Sequence, residues 1–242
     1  MLVFVHGGAT THRCFDLVPD GLAGHFTVVR FDRRGHGASG DANSWSFQRE
    51  VEDLVELASD VGSGSGVRVV GYSFGASIAL HAAASSPRLF GPLVVYEPPF
   101  GVPGLISCAD EVLALLDEDR LDDAARTFIT TTFGIGDGAV EAMERHPLWA
   151  DTRATIHNLR RELPVIAALG PPPVASQASG REHLAAVTSR RDRTNGVPPA
   201  GRTRPPRSGR PACLATAMGC CGPRPVWGTV PLAGASMVNC SA

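Results

Sequence analysis

The sequence predicts an α/β fold in which a mostly parallel sheet is joined by crossover helices. In the first part of the chain, to residue 100, short apolar runs alternate with helical and turn-forming stretches, as in parallel strands that are buried on both faces. The region that follows keeps a helical period without intervening strands. Regular patterning then ends. These observations divide the chain into a core at 1–104, a helical cap at 105–170 and an irregular or disordered tail at 171–242.

Four short runs rich in β-branched or aromatic residues are the predicted strands, at 2–5, 26–31, 67–70 and 93–96. Between the second and third runs, apolar residues recur at helical spacing. They predict a helix over 47–58, with Ser44 or Ser46 as its N-cap. The charged residues of this helix, Glu50 among them, are assigned to its solvent-facing side.

Helical spacing continues after the fourth strand, with helices predicted at 111–116, 121–130, 140–145 and 151–169. Helices inserted after a set of parallel strands are typical of a cap over an active site, and a plain second layer of helices is the alternative. After Pro171 the chain is dominated by Arg, Pro, Gly and Ser, which bury too little apolar surface to offset the entropy of ordering. We therefore expect disorder in this tail, except at 182–188, whose sequence is typical of an ordered segment.

All 22 basic residues are arginine, and they are distributed unevenly. Without lysine the chain has no Schiff-base residue, no pyridoxal-phosphate anchor and no P-loop lysine, so we expect no cofactor. Residues 1–182 contain 14 Arg against 23 acids, whereas 183–242 contain 8 Arg against Asp192 alone. The Arg-rich tail raises the alternative of nucleic-acid binding. No aromatic interleaving or folded basic motif accompanies it, so we expect no nucleic-acid partner.

The six cysteines contain no C-x-x-C pair and no spacing with histidine that is typical of a metal site. They are Cys14, Cys108, Cys213, Cys220, Cys221 and Cys240. We expect unpaired thiols in a reducing compartment. No apolar run approaches the roughly 18 residues of a membrane span, and the short apolar N-terminus lacks the basic region of a signal peptide. The sequence therefore predicts a cytoplasmic protein with no metal and no membrane partner.

The motif with the clearest chemistry is G-x-S-x-G at 71–75. A β-branched run precedes it and a small-residue helical pattern follows, which is the strand–turn–helix context of a nucleophile elbow. Gly71 and Gly75 leave room for a sharp turn that presents the Ser73 hydroxyl, and the helix N-terminus behind it provides amide donors and partial positive charge. A serine in an ordinary glycine turn is the alternative.

Two further glycine motifs follow predicted strands. His6-Gly7-Gly8 comes after the first strand, where residues without bulk let a backbone amide approach a developing oxyanion, together with the amide of Phe74. His6 lies directly at the strand end, which favours a loop-shaping role over that of a catalytic base. The motif at 31–40 matches G-x-G-x-x-G, but no helix opens on its glycines, so a dinucleotide site is not supported.

Taken in this order, H-G, D-x-R-G-x-G-x-S and G-x-S-x-G resemble the motifs of the α/β-hydrolase family. The resemblance covers about residues 1–170. It implies a serine hydrolase acting on an ester, thioester or related acyl bond, with Ser73 as nucleophile and the amides of Gly8 and Phe74 as the oxyanion hole. The apolar cap indicates a small, partly hydrophobic substrate.

A serine nucleophile needs a base, and the base needs an acid to orient it. The resemblance implies the chain order serine, acid, histidine, on loops after later strands. Glu97, directly after the fourth predicted strand, is the candidate acid, and a turn residue before two prolines is the alternative. The family's histidine typically lies near the C-terminus, whereas this chain has none after His183, which becomes the candidate base. His81, His146 and His157 are assigned to helix surfaces or packing.

The C-terminal part departs from the family pattern. The family has an apolar strand after the segment that aligns with 184–188, but residues 189–193 are mostly charged and cannot form a buried strand. We therefore hypothesise a reading-frame slip near Thr188 in a GC-rich gene, which leaves a partial α/β-hydrolase without its C-terminal strands and histidine loop. The alternative to an active enzyme is accordingly a truncated or frame-disrupted, catalytically incompetent relative with an exposed sheet edge.

Overall fold

The sheet has five strands in the part of the chain that the structure describes, and all of them are parallel. The computed structural model describes residues 1–16, 20–41, 44–62, 66–172 and 184–187. The strands are β1 (Leu2–Val5), β2 (Val28–Arg30), β3 (Val67–Tyr72), β4 (Phe90–Tyr96) and β5 (Leu184–Val187). Their spatial order is β2-β1-β3-β4-β5, and every neighbouring pair is parallel. The predicted parallel sheet is confirmed.

The four predicted strands are present with shifted bounds. The run at 26–31 shortens to Val28–Arg30 because the Phe26 amide donates back to the Leu22 carbonyl oxygen at 2.9 Å, in a turn. β4 begins at Phe90, earlier than predicted, and includes a glycine and a proline of low strand propensity. Pairing with β3, in which Val67 lies opposite Phe90, holds this part of β4 in the sheet.

Eight α-helices accompany the sheet in the part of the chain that the structure describes. They are α1 (Phe47–Val61), α2 (Phe74–Ser85), α3 (Pro103–Ser107), α4 (Ala109–Asp117), α5 (Leu121–Phe133), α6 (Asp137–Glu144), α7 (Leu148–Thr155) and α8 (Leu159–Ala168). The Arg49 amide donates to the Ser46 hydroxyl at 3.2 Å, so Ser46 is the N-cap of α1.

The helix predicted at 151–169 is interrupted. α7 ends at Thr155, whose hydroxyl donates to the Asp151 carbonyl oxygen at 2.7 Å, and a hydroxyl bonded four residues back bends a helix. A 3₁₀ turn follows at Ile156–Asn158. The Asn158 side chain donates to the Gly35 carbonyl oxygen at 2.9 Å, which ties this turn to the loop after β2. The break therefore combines a local hydroxyl contact with a long-range contact that helical spacing does not reveal.

The helices of the 105–170 region share one hydrophobic core with the sheet. Val3 of β1, Leu54 of α1, Leu116 of α4 and Leu159 of α8 are all fully buried in the same cluster. α8 also reaches the loop after β1, at the carboxyl ends of the strands, where Glu162 lies against Gly8. This is the position expected of a cap, while the domain boundary at residue 104 stays a prediction.

The ordered segment expected at 182–188 contains β5. Leu184 lies opposite Leu93 and Val187 lies opposite Tyr96, so β5 covers an edge of β4 that the hypothesis of an incompetent relative leaves exposed. Residues 173–183 and 188–242 lie outside the described residues, and the predicted disorder of the tail falls on them.

Replacing Leu54 by alanine tests the packing of α1 on the sheet. Leu54 is fully buried, so Leu54→Ala removes core contacts and leaves a cavity. We expect the free energy of unfolding to fall by about 2–5 kcal/mol. Urea denaturation followed by circular dichroism measures it. Ile106→Ala, at a side chain that is 52% exposed, is the control and should change the free energy of unfolding by less than about 0.5 kcal/mol. Equal losses in the two variants would contradict this packing.

Candidate active site

Ser73 occupies the sharp turn between β3 and α2. Its backbone angles are φ 51° and ψ −121°, a conformation that a residue with a side chain rarely adopts. The Ser73 amide donates to the Tyr96 carbonyl oxygen at 2.8 Å, and the Ala76 amide donates to the Ser73 carbonyl oxygen at 2.9 Å. The Ser73 side chain makes no capping hydrogen bond to α2. The turn thus holds a partly exposed hydroxyl at the carboxyl edge of the sheet.

The two glycines of the turn are required by close backbone contacts. A Cβ atom on Gly71 would lie 2.6 Å from the Ala76 Cα atom, and one on Gly75 would collide with the carbonyl oxygens of Val5 and His6. α2 therefore begins in direct contact with the end of β1. Only glycine at these two positions lets strand, turn and helix approach this closely.

The loop after β1 lies beside Ser73. A Cβ atom on Gly7 would lie 3.0 Å from the Ser73 Cβ atom, and one on Gly8 would lie 2.7 Å from Glu162 Oε2. Phe74 is the first residue of α2, so its amide has no acceptor within the helix. The structure therefore brings Gly8, Ser73 and Phe74, the three residues predicted for nucleophile and oxyanion hole, to one place.

His6 shapes this loop. It is fully buried, its Nε2 accepts a hydrogen bond from the Arg33 amide at 2.9 Å, and its Nδ1 lies 2.9 Å from the Gly7 carbonyl oxygen. Since Nε2 is an acceptor, the proton is on Nδ1 and is donated to Gly7. Burial, and next the positive charge of Arg33, lower the pKa of His6 to about 3. These contacts support the loop-shaping role over catalysis.

The glycine motif at 31–40 forms a loop around the carboxylate of Asp32. The Asp32 carboxylate accepts hydrogen bonds from the His12 amide at 2.8 Å and the Ala38 amide at 2.9 Å. Burial opposes its ionisation, but these hydrogen bonds hold the pKa of Asp32 below its ordinary value. Gly37 has φ 52°, and a side chain there would collide with the Asp32 carboxylate. The loop amides of His12 and Ala38 are therefore directed at a side chain rather than at a phosphate.

A buried arginine lies behind the loop after β1. Arg33 is 1% exposed, its Nη1 donates to Glu50 Oε1 at 2.8 Å and its Nη2 donates to Glu162 Oε1 at 2.6 Å. Trp45 Nε1 donates to the same Glu50 oxygen at 3.0 Å. Burial alone would lower the pKa of Arg33, but Glu162 and Glu50 outweigh it and raise that pKa. A charged guanidinium therefore lies between two buried carboxyl groups.

The prediction that Glu50 faces solvent is wrong, since this side chain is 3% exposed. Glu50 lies three residues after Phe47 and four before Leu54, which places it on the apolar face of α1. Glu162 has the same relation to Leu159 and Ile166 in α8. A carboxylate at apolar helical spacing is the signal that identifies both residues, and it indicates a buried partner.

The structure places the predicted acid next to the predicted nucleophile. Tyr72 and Tyr96 are paired in register at the ends of β3 and β4, so Ser73 and Glu97 follow neighbouring strands at the same edge. Glu97 is half-buried and has φ 48°, a second strained residue beside the first. His183 lies outside the described residues. Leu184, which follows His183 in the sequence, pairs with Leu93. Leu93 lies three residues, or about 10 Å along the strand, before Tyr96 at that edge.

The other histidines have their own contacts. His12 Nδ1 lies 2.8 Å from Asp32 Oδ1, and the His81 ring packs edge-on against Phe47 at 5.0 Å. His146 and His157 are exposed on the helical region, as predicted. Within the described residues, no histidine forms a hydrogen bond with the Ser73 hydroxyl.

Comparison with known proteins identifies the family of the chain. The family model described as the alpha/beta hydrolase family matches residues 2–225, so the chain belongs to that family. A solved structure of an alpha/beta hydrolase from Sphaerobacter thermophilus is 33% identical, with a TM-score of 0.61, over 76% of this chain and 72% of that one. The fold and family implied by the three motifs are thereby confirmed.

Two curated relatives match shorter stretches. Lipase LipV of Mycobacterium tuberculosis is 32% identical over 126 residues, which are 50% of this chain and 45% of that protein. Ethanol acetyltransferase 1 of Cyberlindnera fabianii is 33% identical over 100 residues, 40% of this chain and 29% of that protein. The chain thus spans less than half the length of these relatives.

Two further observations concern metals and membranes. Among the described residues there is no group of three or more His, Cys, Asp or Glu side chains arranged to hold a metal ion. In the same part of the chain, no helix is long and apolar enough to span a bilayer.

Gly75→Ala tests the contact between α2 and β1. Because the added Cβ meets backbone carbonyl oxygens at the end of β1, the backbone must shift, and we expect a loss of about 1–3 kcal/mol or more in the free energy of unfolding. Gly138→Ala, with nothing within 4 Å of its added Cβ in α6, is the matched control and should be neutral or stabilising by up to about 1 kcal/mol. Urea denaturation compares them, and a Gly75→Ala protein as stable as the wild type would contradict this close contact.

The buried His6 predicts a pH dependence of stability. As pH falls below 6.5, the unfolded chain binds a proton on His6, whereas the folded chain keeps it neutral down to about 3. Stability is therefore lost as pH falls through this window, by up to about 1.4 kcal/mol per pH unit for this residue. His6→Asn should flatten the slope of unfolding free energy against pH, measured by urea denaturation, with His157→Asn as the exposed control. Parallel slopes in wild type and His6→Asn would contradict this.

Proposed function

We propose that the chain is a serine hydrolase that cleaves an ester, thioester or related acyl bond of a small molecule. The observation that carries this proposal is the strained turn at Ser73, with an uncapped hydroxyl, held beside the Gly7–Gly8 loop and the first amide of α2. The similarity to proteins named as a lipase and as an ethanol acetyltransferase supports acyl chemistry at this site.

In the proposed reaction, Ser73 Oγ attacks the carbonyl carbon and its proton passes to a histidine. The carbonyl oxygen gains the negative charge and accepts hydrogen bonds from the Gly8 and Phe74 amides. The bond to the leaving alcohol or thiol then breaks, and the leaving group takes the proton from the histidine. Water attacks the acyl-enzyme in the same way, which releases the acid and restores Ser73.

Glu97 is the proposed acid and His183 the proposed base. Glu97 is supported by its position after β4, next to Ser73 at the same sheet edge. His183 is supported by elimination, because the other seven of the eight histidines lie in the described residues and none of them forms a hydrogen bond with the Ser73 hydroxyl there. With these groups the proposed reaction needs neither cofactor nor metal.

In the second candidate function, the chain is a catalytically incompetent relative of such an enzyme: Ser73 reacts with an acyl substrate, but the acyl-enzyme is not hydrolysed. The register of β5 favours it, because Leu184 lies below the sheet edge that carries Ser73. Without a base at the site, an acyl group placed on Ser73 is not hydrolysed.

We further propose a reducing, cytoplasmic location for the protein. Cys14 and Cys108, the two cysteines within the described residues, are free thiols. Burial raises the pKa of Cys14 to about 12, so this thiol stays protonated and unreactive.

Labelling and turnover separate the two functions. The purified full-length chain is incubated with a fluorophosphonate probe, which forms an Oγ–P bond at an activated serine as fluoride leaves, and in parallel with a p-nitrophenyl ester. We expect labelling that Ser73→Ala abolishes and ester turnover that falls at least about 100-fold in Ser73→Ala and His183→Ala.

The matched controls are Ser77→Ala, a buried serine of α2, and His157→Ala, an exposed histidine. Both should keep labelling and turnover. Labelling at Ser73 without turnover would favour the second function, and unchanged turnover in His183→Ala would remove that residue as base. Absence of labelling at Ser73 would refute both functions.

A further inference from the structure

Two hydrogen-bond donors converge on the carbonyl oxygen of Gly7. His6 Nδ1 donates to it at 2.9 Å and Arg33 Nη2 donates to it at 3.0 Å. The first donor is a neutral imidazole, but the second is a guanidinium with a full positive charge. Both are buried, so these hydrogen bonds are shielded from competition with water.

The Gly7 carbonyl and the Gly8 amide belong to one peptide group. This group is planar and trans, so its N–H points away from its C=O. Donors that fix the Gly7 carbonyl oxygen therefore also fix the direction of the Gly8 N–H. A cation bonded to the oxygen withdraws electron density from the peptide group, which makes the N–H a stronger donor.

The same guanidinium contacts the second amide-bearing residue. Arg33 Cζ lies 5.1 Å from the centre of the Phe74 ring, within the range of a cation–π contact. Phe74 is fully buried, so the packing of its ring sets the position of the first turn of α2. Arg33 is thus in contact with both groups that carry the proposed oxyanion amides.

The guanidinium itself is held on three sides. Glu50 Oε1 accepts from Nη1, while Glu162 Oε1 and His36 Nε2 lie 2.6 Å and 3.2 Å from Nη2. These partners come from α1, α8 and the loop after β2, so the orientation of Arg33 does not depend on one flexible side chain. A surface arginine would not be fixed in this way.

We propose that Arg33 is the positioning residue of the oxyanion hole, which it orients and polarises through the Gly7–Gly8 peptide and the Phe74 ring. The inference rests on the proposed function, because it needs Ser73 as nucleophile and the Gly8 amide as oxyanion donor. Arg33 is 1% exposed, so it acts through these groups and not directly on a substrate. Its loss weakens the stabilisation of the oxyanion while substrate binding is retained.

A comparison of oxygen and sulfur esters tests this role. In a thionoester the developing charge is on sulfur, a weak hydrogen-bond acceptor, so an enzyme with a working oxyanion hole favours the oxygen ester strongly. A substitution that only disturbs the structure slows acylation by both esters by the same factor. Weakened oxyanion stabilisation slows the oxygen ester more, so the ratio of the two acylation rates falls.

Two variants are compared with wild type by the burst of p-nitrophenol from matched p-nitrophenyl oxygen and thiono esters. Arg33→Met combined with Glu50→Gln and Glu162→Gln removes the cation without leaving buried carboxylates unpaired. Arg33→Lys keeps the charge but shortens the reach to Gly7. We expect the rate ratio to fall about tenfold or more in the triple variant and less in Arg33→Lys, with KM unchanged. Arg153→Met, which removes an exposed arginine, is the control and keeps the ratio.

Each outcome separates this inference from the proposed function. Reaction at Ser73 with an unchanged ratio in both variants would overturn the role of Arg33 and leave the hydrolase intact. A wild-type chain that does not react at Ser73 would overturn the proposed function, and with it the inference. If the triple variant does not fold, as judged by circular dichroism, the ratio in Arg33→Lys decides alone.

Discussion

The candidate site depends on one buried ion pair network, in which Arg33 lies between Glu50 and Glu162. The three residues come from the loop after β2, from α1 and from α8, so the network forms only when these three segments have come together. Taking these charges out of water is costly, and the cost is recovered only where the hydrogen-bonding groups find partners. The network therefore acts as a geometric constraint: it specifies how α8 sits over the sheet edge and where the Gly7–Gly8 loop lies.

Charge balance in the network is uneven, because two carboxyl groups share one guanidinium and both neighbouring histidines, His6 and His36, are kept neutral. Burial raises the pKa of Glu162, and the attraction of Arg33 opposes this only in part. Within the described residues, its Oε2 atom has no hydrogen-bond partner, and it lies against Gly8. Burial therefore shifts Glu162 toward its neutral form compared with an exposed carboxyl group, beside the amide that is proposed to bind an oxyanion.

Local sequence signals predict the elements whose geometry is set locally. The turn at Ser73 follows from two glycines and a β-branched strand, because backbone contact excludes any larger residue at Gly71 and Gly75. Burial of Glu50 and Glu162 depends instead on Arg33, far away in the sequence, and periodicity shows only that they share a face with apolar residues. The break between α7 and α8 is likewise fixed by the contact of Asn158 with Gly35. Such contacts become visible only when the fold brings distant segments together.

The parallel topology also shows at which edge of the sheet a catalytic base would have to lie. Every strand delivers its following loop to the same edge, so Gly7, Ser73 and Glu97 meet there although β1, β3 and β4 are far apart in the chain. β5 ends at Val187, opposite Tyr96, at the same edge of the sheet. The change of composition after Thr188 begins at this point. The described segments thus supply the proposed nucleophile, the oxyanion loop and the acid. Hydrolysis of an acyl-enzyme also needs a base, which must come from His183 or from the chain that follows β5. A frame change at this point would therefore leave a serine that reacts with a probe but does not turn over an ester.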